Sequence, residues 1–392
     1  MKNSNFGVFM VILMLIGISP LMSAESALSL KSWEPWGIPN DTSNYTIISK
    51  GGDAGDYQAF PDAVKLQNGD ILVVFYAGDG HVTYPNENYP KAGRICMVRS
   101  KDEGKTWSAP VTIYDDMHDN RDSHISQLSD GTVVVTFFSL DLKSNPRSRS
   151  GVGVQFITSK DNGVTWSKEA RLVTPLGKDW YSSAPIREMA DGTLVFPVYR
   201  QIMGTKNAWG GVLLSYDKGK SWTDPITIGE DAGLFLAAET DVIRLKDGSL
   251  FAALRGQEDL PMHYSISQDV GKTWSPVKSI GFLAHSPHLN RLSGGEILMV
   301  YRGVEGSHTF SWDHAYTALR VSYDEGLSWQ GPYKLDSSRG AYPSTVELDD
   351  GSIMLVFYEE GENSGVGVLK FEMPSFADGF SPPARPVKFI KN

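Results

Sequence analysis

An eight-residue phrase, Ser-x-Asp-x-Gly-x-Thr/Ser-Trp, recurs five times in this chain of 392 residues. Its aspartates are Asp102, Asp161, Asp217, Asp269 and Asp324, separated by 59, 56, 52 and 55 residues. A near-constant period of this length is typical of repeat architectures, in which each repeat is one supersecondary unit. The chain is therefore predicted to fold as an array of similar units.

A second motif runs in phase with the first. Six pairs of short apolar runs flank an Asn-Gly, Asp-Gly or Gly-Gly turn, from "AVKLQNGDILVVFY" to "VELDDGSIMLVFY". Such dipeptides favour the tight turns of β-hairpins. Each of the first five hairpins precedes a third β-rich run, the Asp phrase and a fourth run. One repeat is thus predicted to be a four-stranded antiparallel blade, and the chain an all-β, six-bladed β-propeller.

The sixth hairpin has no Asp phrase after it, so its blade lacks an obvious fourth strand. Because a propeller must close into a ring, we expect a strand near residues 45–49, "YTIIS", to complete this blade. Residues 25–392 are then predicted to form a single propeller domain.

The first 24 residues have the layout of a secretory signal peptide. Lys2 precedes an apolar run from Val8 to Ile18, and the small residues Ser23 and Ala24 follow. This run is short for a membrane span. We expect residues 1–24 to be removed, which would leave a secreted or periplasmic protein without a membrane span.

The net charge argues against nucleic-acid binding, and the cysteine content argues against a catalytic thiol. A net charge of -10 argues against a nucleic-acid partner, because binding to phosphates requires a basic surface. The single cysteine, Cys96, cannot form an intramolecular disulfide. It lies in the apolar stretch "RICMV", where a small buried hydrophobic residue is expected rather than a nucleophile.

The Asp phrase itself is predicted to be structural. Asp, Gly and a hydroxyl residue suit a tight turn in which side chains satisfy backbone N–H groups. Five similar sites spread around a ring would not assemble one active site. We expect the tryptophan of each phrase to be buried near the periphery between neighbouring blades.

The phrase is the Asp-box, and five copies in phase with six hairpins resemble the sialidase superfamily of six-bladed propellers. This resemblance covers nearly all of the predicted mature chain. It implies a secreted, exo-acting glycoside hydrolase with a tyrosine nucleophile, a glutamate that assists it, and an aspartate acid/base. It also implies three arginines that bind the carboxylate of the sugar.

Two segments match the family's catalytic motifs. "AETDVIRLKDGSLFAALR" resembles the Glu-to-Arg hairpin and places Glu239 and Arg255 in those roles. "AYPSTVELDDGSIMLVFYEE" resembles the nucleophile blade and places Tyr342 at the nucleophile position.

Other positions depart from the family pattern. The first clamp arginine is replaced by Ala59, and the acid Asp62 follows nearby; the third is replaced by His314. The acid/base is expected in the blade-one loop "AGDGHVTYPNENYP", where Asp79, His81 and Glu87 compete, or at Asp62. With two clamp arginines missing, weak activity on ordinary sialosides is expected.

Histidines and further charged residues fall in segments predicted to face the pocket. The candidates for substrate binding, besides Arg255, are Arg94, Arg121, Asp122, His81, His124, His285, His288 and His314. No pair of histidines has a metal-binding signature, so neither a metal nor another cofactor is expected.

Three functions remain open from the sequence. The first is the exo-acting hydrolase, in which Tyr342, Glu239 and Asp62 are catalytic. The second is a polysaccharide lyase or other uronate-processing enzyme, in which a His and Tyr342 would serve as base and acid. The third is a non-catalytic glycan-binding propeller.

Overall fold

Antiparallel sheets repeat six times along the chain, as the hairpin motif predicts. The computed structural model describes residues 45–142, 150–237, 239–257, 259–304, 315–336, 342–361, 364–373 and 388–390. The predicted leader, residues 1–24, and His314 lie outside these described residues. Within them, only two 3-10 turns interrupt the β-structure, at Gly52–Ala54 and Glu230–Ala232, and no helix has the length and apolarity needed to cross a membrane.

Each blade runs from an inner strand beside the central axis to an outer strand. The first blade contains β2 (Tyr57–Lys65), β3 (Ile71–Gly78), β4 (Arg94–Ser100) and β5 (Val111–Tyr114). The second contains β6 (Asp119–Gln127), β7 (Val133–Asp141), β8 (Ser150–Ser159) and β9 (Arg171–Leu172). The third contains β10 (Trp180–Tyr181), β11 (Arg187–Glu188), β12 (Leu194–Gln201), β13 (Ala208–Ser215) and β14 (Ile226–Ile228); β10 and β11 together form its inner strand.

The remaining blades follow the same order. The fourth contains β15 (Thr240–Arg244), β16 (Leu250–Leu254), β17 (His263–Ser267) and β18 (Lys278–Ser279). The fifth contains β19 (His285–Arg291), β20 (Ile297–Val304), β21 (Ala315–Ser322) and β22 (Gln330–Asp336). The sixth contains β23 (Ser344–Glu347), β24 (Ile353–Tyr358) and β25 (Gly365–Glu372), with β1 (Tyr45–Lys50) and β26 (Lys388–Ile390) beside β25.

The sixth blade joins distant parts of the chain. β1 pairs antiparallel with β25 from Tyr45, opposite Leu369, to Lys50, opposite Gly365. β26 pairs with the remainder of β25, so both segments form the outer edge of this blade. The ring is closed because the strand that precedes the first blade belongs to the last one.

Apolar side chains fill the spaces between neighbouring blades. In the space between the first and sixth blades, Val73 and Phe75 pack in one cluster with Val356. All three are fully buried. Burial of this kind is the main favourable contribution to folding, and here it also ties each blade to its neighbours.

The Asp phrase forms a hydrogen-bonded turn between the third and fourth strands. In the third blade, the Ser215 hydroxyl accepts the Gly219 N–H at 2.8 Å and donates to Asp217 at 2.9 Å. Asp217 accepts both the hydroxyl (2.6 Å) and the N–H (2.8 Å) of Ser221, and these hydrogen bonds lower its pKa to about 2. Trp222 is half-buried against Phe156 and Phe196, so it packs between the second and third blades.

The inner strands carry a repeated distortion near the axis. The pairing register shifts between Ala59 and Asp62, between Arg121 and His124, and between His285 and His288. A β-bulge of this kind redirects a side chain and is common beside active sites. Within three of these bulges and just before β23, a non-glycine residue has a left-handed φ of 48° to 54°: Phe60, Asp122, Ser286 and Tyr342.

These residues occupy one structural position in the repeat. Each lies six residues before the leucine or methionine that begins the hairpin turn. The same count in the third and fourth blades reaches Ser183 and Glu239. We call the six residues the bulge ring: Phe60, Asp122, Ser183, Glu239, Ser286 and Tyr342.

Replacing Ser215 with alanine tests the structural role of the Asp phrase. We expect Ser215→Ala to lower the free energy of unfolding by about 1–3 kcal/mol, because the buried Gly219 N–H loses its acceptor. Urea denaturation measures the change. Ser126→Ala is the control, since that hydroxyl has no hydrogen-bond partner among the described residues. Equal stability of the two variants would contradict the assigned role.

Candidate active site

A cavity of about 290 Å³ opens over the bulge ring at one end of the central channel. Polar groups on one side of it face an aromatic and aliphatic wall contributed by the second and third blades. The cavity is lined by His81, Val82, Arg121, Asp122, Phe138, Leu140, Tyr181, Tyr199, Gln201, Met203, Glu239, Arg255, Gln257 and Tyr342. Six residues named from the sequence therefore meet here: His81, Arg121, Asp122, Glu239, Arg255 and Tyr342.

Tyr342 and Glu239 form a short polar contact in this cavity. The Tyr342 hydroxyl donates to Glu239 Oε1 at 2.6 Å, although the residues come from the sixth and fourth blades. Burial raises the pKa of Tyr342 well above its ordinary value, and the negative charges of Glu239 and Asp122 raise it further. The phenol is therefore protonated, and it can act as a nucleophile only if Glu239 removes its proton.

Arg255 fixes the orientation of the Glu239 carboxylate. Its Nη1 donates to Oε1 at 2.8 Å and to Oε2 at 2.7 Å. The Ser286 N–H approaches Oε2 at 3.3 Å, so the fifth blade also contributes to the position of this group. Glu239 is 2% exposed, and these donors balance its charge in a site with little water.

Arg302 is a part of the site that the sequence did not reveal. Its guanidinium carbon lies 5.4 Å from the ring centroid of Tyr342, and its Nη2 donates to the Tyr358 hydroxyl at 3.3 Å. Tyr358 in turn donates to Glu360 at 2.7 Å. The hairpin pattern could have identified Arg302, because this residue pairs directly with the candidate His285 in the β19–β20 hairpin.

Asp122 lies at the base of the cavity with its carboxyl group held by a neighbouring blade. The Ser183 hydroxyl donates to its Oδ2 at 2.8 Å. Burial raises the pKa of Asp122 to about 6 against the opposing charge of Arg121, and the nearby Glu239 contributes to the increase. This carboxyl group exchanges its proton close to neutral pH and can bind a sugar hydroxyl in either state.

Arg121 places a buried positive charge at the wall of the cavity. It is 5% exposed, and its Nη1 donates to the carbonyl oxygen of His81 and, at 3.2 Å, to Asp119. Its guanidinium carbon lies 5.2 Å from the ring centroid of Phe60 and 5.1 Å from that of Tyr76. The aromatic rings and the carboxylate together hold the guanidinium in one position.

Asp62, His124 and His288 do not reach this cavity. Each lies two residues after the bulge ring, one level further along the channel. The Asp62 carboxylate accepts the N–H of Ala63 at 2.8 Å and that of Ile125 at 2.9 Å. His124 Nδ1 lies 3.2 Å and His288 Nε2 3.4 Å from its oxygens, at ion-pair distance. We call Asp62, His124 and His288 the axial cluster.

The expectation that Asp62 is a catalytic acid conflicts with this environment. Its side chain is fully buried, which by itself opposes ionisation. The contacts from His124 and His288 outweigh that effect and hold the pKa of Asp62 far below its ordinary range. A carboxyl group that stays ionised and is out of reach of the cavity cannot protonate a leaving group. The axial cluster instead closes the channel beneath the site.

An equivalent contact recurs half a turn around the ring. Asp241 in the fourth blade accepts the N–H of Val242 at 2.7 Å and that of Leu289 at 2.7 Å. It occupies the repeat position of Asp62, and each carboxylate thereby joins its own inner strand to the next one. Arg187 pairs with Asp241 at 2.7 Å, so this arginine points away from the cavity.

Arg94 and His285 were also predicted to bind the substrate. Arg94 donates to the carbonyl oxygen of Asp53 and lies over the ring of Tyr89, away from the cavity lining. His285 is buried, and burial together with the charges of Arg255 and Arg302 lowers its pKa strongly, so its imidazole is neutral. Among the residues that the structure describes, no cluster of His, Cys, Asp or Glu has an arrangement that could hold a metal ion.

Comparisons with known proteins agree with this architecture. A family model described as BNR repeat-like domain matches residues 125–355, more than half of the chain. The sialidase of Paraclostridium sordellii is 26% identical over 286 residues, which cover 65% of this chain and 65% of that protein. The sialidase of Clostridium perfringens is 29% identical over 247 residues, which cover 56% of this chain and 60% of that protein.

The chain spans less than two thirds of the length of these two curated relatives. Among solved structures, the NanB sialidase from Streptococcus pneumoniae superimposes with a TM-score of 0.64 at 16% identity. The match covers 84% of this chain and 71% of that one, and it shows a shared fold.

Replacing Asp62 with asparagine tests its role in stability. We expect Asp62→Asn to lower the free energy of unfolding at neutral pH by about 3–5 kcal/mol, as the loss of one member of a buried ion pair does. Because the pKa of Asp62 is lowered in the folded state, this contribution is present above the pKa of the unfolded chain, about 4, and is lost as the pH falls below it.

Urea denaturation of both proteins at pH 7 and pH 3 measures this difference. The control is Asp247→Asn, because its hydrogen bonds among the described residues stay within its own turn, to Ser249. A difference between wild type and Asp62→Asn that grew as the pH fell would show that the carboxylate is not stabilised by the fold.

Proposed function

The chain belongs to the family of BNR repeat-like domains, and from this membership and the geometry of the cavity we propose that it is an exo-acting glycoside hydrolase of the sialidase superfamily. The observation that carries the proposal is the 2.6 Å hydrogen bond from Tyr342 to Glu239. The axial cluster lies beneath the cavity, and a cavity that ends there is compatible with the terminal sugar that the exo-acting mode requires. The two curated relatives, both sialidases, support the same class of reaction.

Tyr342 is the proposed nucleophile. Its hydroxyl oxygen attacks the anomeric carbon while its proton passes to Glu239, and the bond to the leaving oxygen breaks. Water then displaces Tyr342 from the sugar, and Glu239 returns the proton. Arg255 and the Ser286 N–H keep the Glu239 carboxylate directed at the phenol throughout.

The charges around Tyr342 support a terminal acidic sugar as the substrate. A neutral phenol can approach an anionic sugar that would repel a carboxylate nucleophile. The positive charges of Arg255 and Arg302 both act on Tyr342. Arg121 stacks on Phe60, whose ring centroid lies 4.8 Å from that of Tyr342. Guanidinium groups from three blades therefore lie near Tyr342.

The positions of these arginines support an acidic sugar other than the ordinary sialoside. Ala59, where the resemblance expects a clamp arginine, is fully buried. Arg121 occupies the equivalent repeat position one blade further on, three residues before His124 as Ala59 is before Asp62. Compared with the family pattern, the arginine therefore lies one blade further on, which changes where a carboxylate of the substrate can bind. If residues 1–24 act as the predicted leader, this reaction takes place outside the cytoplasm.

Substitution of the nucleophile tests the mechanism. We expect Tyr342→Phe and Glu239→Gln each to lower kcat by at least about 10²–10⁴-fold, because either change removes the proton transfer that activates the nucleophile. Release of 4-methylumbelliferone from aryl glycosides measures turnover. The control is Tyr333→Phe, a buried tyrosine of the fifth blade outside the cavity.

Other outcomes of this experiment identify the alternative functions. A product with near-ultraviolet absorbance, formed from acidic polysaccharides, would indicate a lyase. Binding of a glycan without turnover, unchanged in Tyr342→Phe, would indicate a non-catalytic propeller. Both results would contradict the proposed hydrolase.

A panel of sugars tests the specificity. We expect aryl glycosides of acidic sugars to be cleaved and those of neutral hexoses not to be. We also expect the N-acetylneuraminic acid glycoside to have a kcat/KM at least about 10²-fold below that of the best acidic substrate, since two charge-assisted contacts of the family clamp are missing. If the sialoside proves to be the best substrate, the displaced Arg121 restores the clamp and the expectation is wrong.

A further inference from the structure

Hydrolysis requires one more proton-transfer group than Tyr342 and Glu239 provide. The leaving oxygen must be protonated, and the incoming water must later lose a proton. Glu239 is committed to Tyr342, and Asp62 lies outside the cavity. Besides Glu239, the histidine and carboxylate side chains that line the cavity are His81 and Asp122, and residues of these types serve as general acids and bases.

We propose that His81 is the general acid and base of this enzyme and that Glu360, acting through Tyr57, positions it. The proposal rests on the hydrolase function proposed above. It assigns the role to an imidazole, whereas the resemblance to sialidases implies an aspartate.

His81 lies where a leaving group would depart. It belongs to the loop between β3 and β4, and 53% of its side chain is exposed at the mouth of the cavity. Its ring centroid is 5.3 Å from that of Phe60, which in turn is 4.8 Å from that of Tyr342. The imidazole and the nucleophile therefore pack against the same aromatic ring, with Tyr342 half-buried and His81 more exposed to solvent.

A hydrogen-bonded chain of Glu360 and Tyr57 orients the imidazole. The Tyr57 hydroxyl lies 2.9 Å and 3.0 Å from the two oxygens of Glu360 and 3.0 Å from His81 Nδ1. Burial and the Glu360 charge raise the pKa of Tyr57, so its single proton remains on the phenol and is donated to Glu360. Tyr57 must then accept from Nδ1–H, and we assign proton exchange with the substrate to Nε2.

Among the residues that the structure describes, groups from three elements contact His81. Glu360, after β24, lies 4.0 Å from Nδ1 and stabilises the imidazolium. Tyr57 of β2 is neutral and transmits this contact. Arg121 of β6 donates to the carbonyl oxygen of His81, so its guanidinium holds the main chain of this residue.

Both half-reactions balance with His81 in this role. In the first, Nε2–H gives its proton to the glycosidic oxygen as the C–O bond breaks, while Tyr342 bonds to the anomeric carbon and its proton moves to Glu239. In the second, neutral Nε2 takes a proton from water as the water oxygen bonds to that carbon. The bond to Tyr342 breaks, and Glu239 returns the proton to the phenol.

Asp122 is less suited to this role because of its depth. It is 4% exposed, it accepts from Ser183, and it belongs to the bulge ring beneath the sugar rather than to the mouth of the cavity. A group at this depth faces the terminal sugar that becomes bonded to Tyr342, not the leaving group. The experiment below includes Asp122 as the competing assignment.

A leaving-group series tests the proposal. For one sugar that the wild type cleaves, aryl glycosides with nitrophenyl leaving groups are compared with alkyl glycosides. We expect His81→Gln to lower kcat/KM for alkyl glycosides by about 10²–10⁴-fold and for nitrophenyl glycosides by less than about 10-fold, because a nitrophenolate departs without protonation. We also expect the basic limb of the wild-type pH profile to disappear and added azide to restore turnover of the nitrophenyl glycoside.

Glu360→Gln separates positioning from catalysis. Removing the carboxylate destabilises the imidazolium, so we expect the basic limb of kcat/KM to move to lower pH while the dependence on the leaving group persists. His118→Gln is the matched control, because His118 also pairs with a carboxylate, Asp116 at 3.0 Å, but lies outside the cavity lining. Thermal unfolding of each variant shows that the fold is retained.

Two results would overturn the assignment. One is an equal loss in His81→Gln for every leaving group; the other is the leaving-group pattern appearing in Asp122→Asn instead, which would make Asp122 the acid. The failure of the hydrolase proposal has a different signature: the wild type would cleave no glycoside, or Tyr342→Phe would remain active.

Discussion

Ring closure is the constraint on which the site depends. Tyr342, Glu239 and Arg121 belong to the sixth, fourth and second blades and meet only because the blades form a complete circle. The pairing of β1 with β25 ties the beginning of the ring to its end. Closure also covers part of an edge of β25 that would otherwise expose unpaired backbone groups.

The bulges of the inner strands lie at the positions that carry the polar contacts of the site. A left-handed residue inside a strand is unfavourable for a side chain larger than glycine, and such conformations are concentrated at functional sites. Here they occur at Phe60, Asp122, Ser286 and Tyr342, and the polar members contact Ser183 and Glu239 from other blades. The backbone distortion and the chemistry therefore coincide at one repeat position.

Most of the fold and part of the site could be predicted from the sequence. The period of the Asp phrase and the hairpin turns encode local geometry, so the number and order of the blades followed from them. Tyr342, Glu239 and Arg255 were predicted from the resemblance of their segments to catalytic motifs of the sialidase superfamily, so spacing alone did not identify them.

The errors have a physical cause as well. Asp62 was expected to be catalytic because it is an acid in the first-blade segment where the family carries a clamp arginine. A bulge in this strand changes which face the next side chains occupy, and the sequence does not mark that change. Arg302 was missed because its place beside Tyr342 depends on the packing of the fifth blade against the sixth. The proton-transfer role among Asp79, His81 and Glu87 depended on loop geometry that spacing does not determine.

The paired contacts of Asp62 and Asp241 have a consequence for how such a scaffold diversifies. In the first and fourth blades, the aspartate that ties neighbouring blades together and the bulge-ring residue are separated by a single residue. The layer that contains Asp62 and Asp241 has approximate two-fold symmetry, because these aspartates lie half a turn apart and accept equivalent pairs of N–H groups. The residues of the bulge ring show no such symmetry. Mutations can therefore alter the reactive layer while the symmetric layer beneath it continues to hold the strands in register.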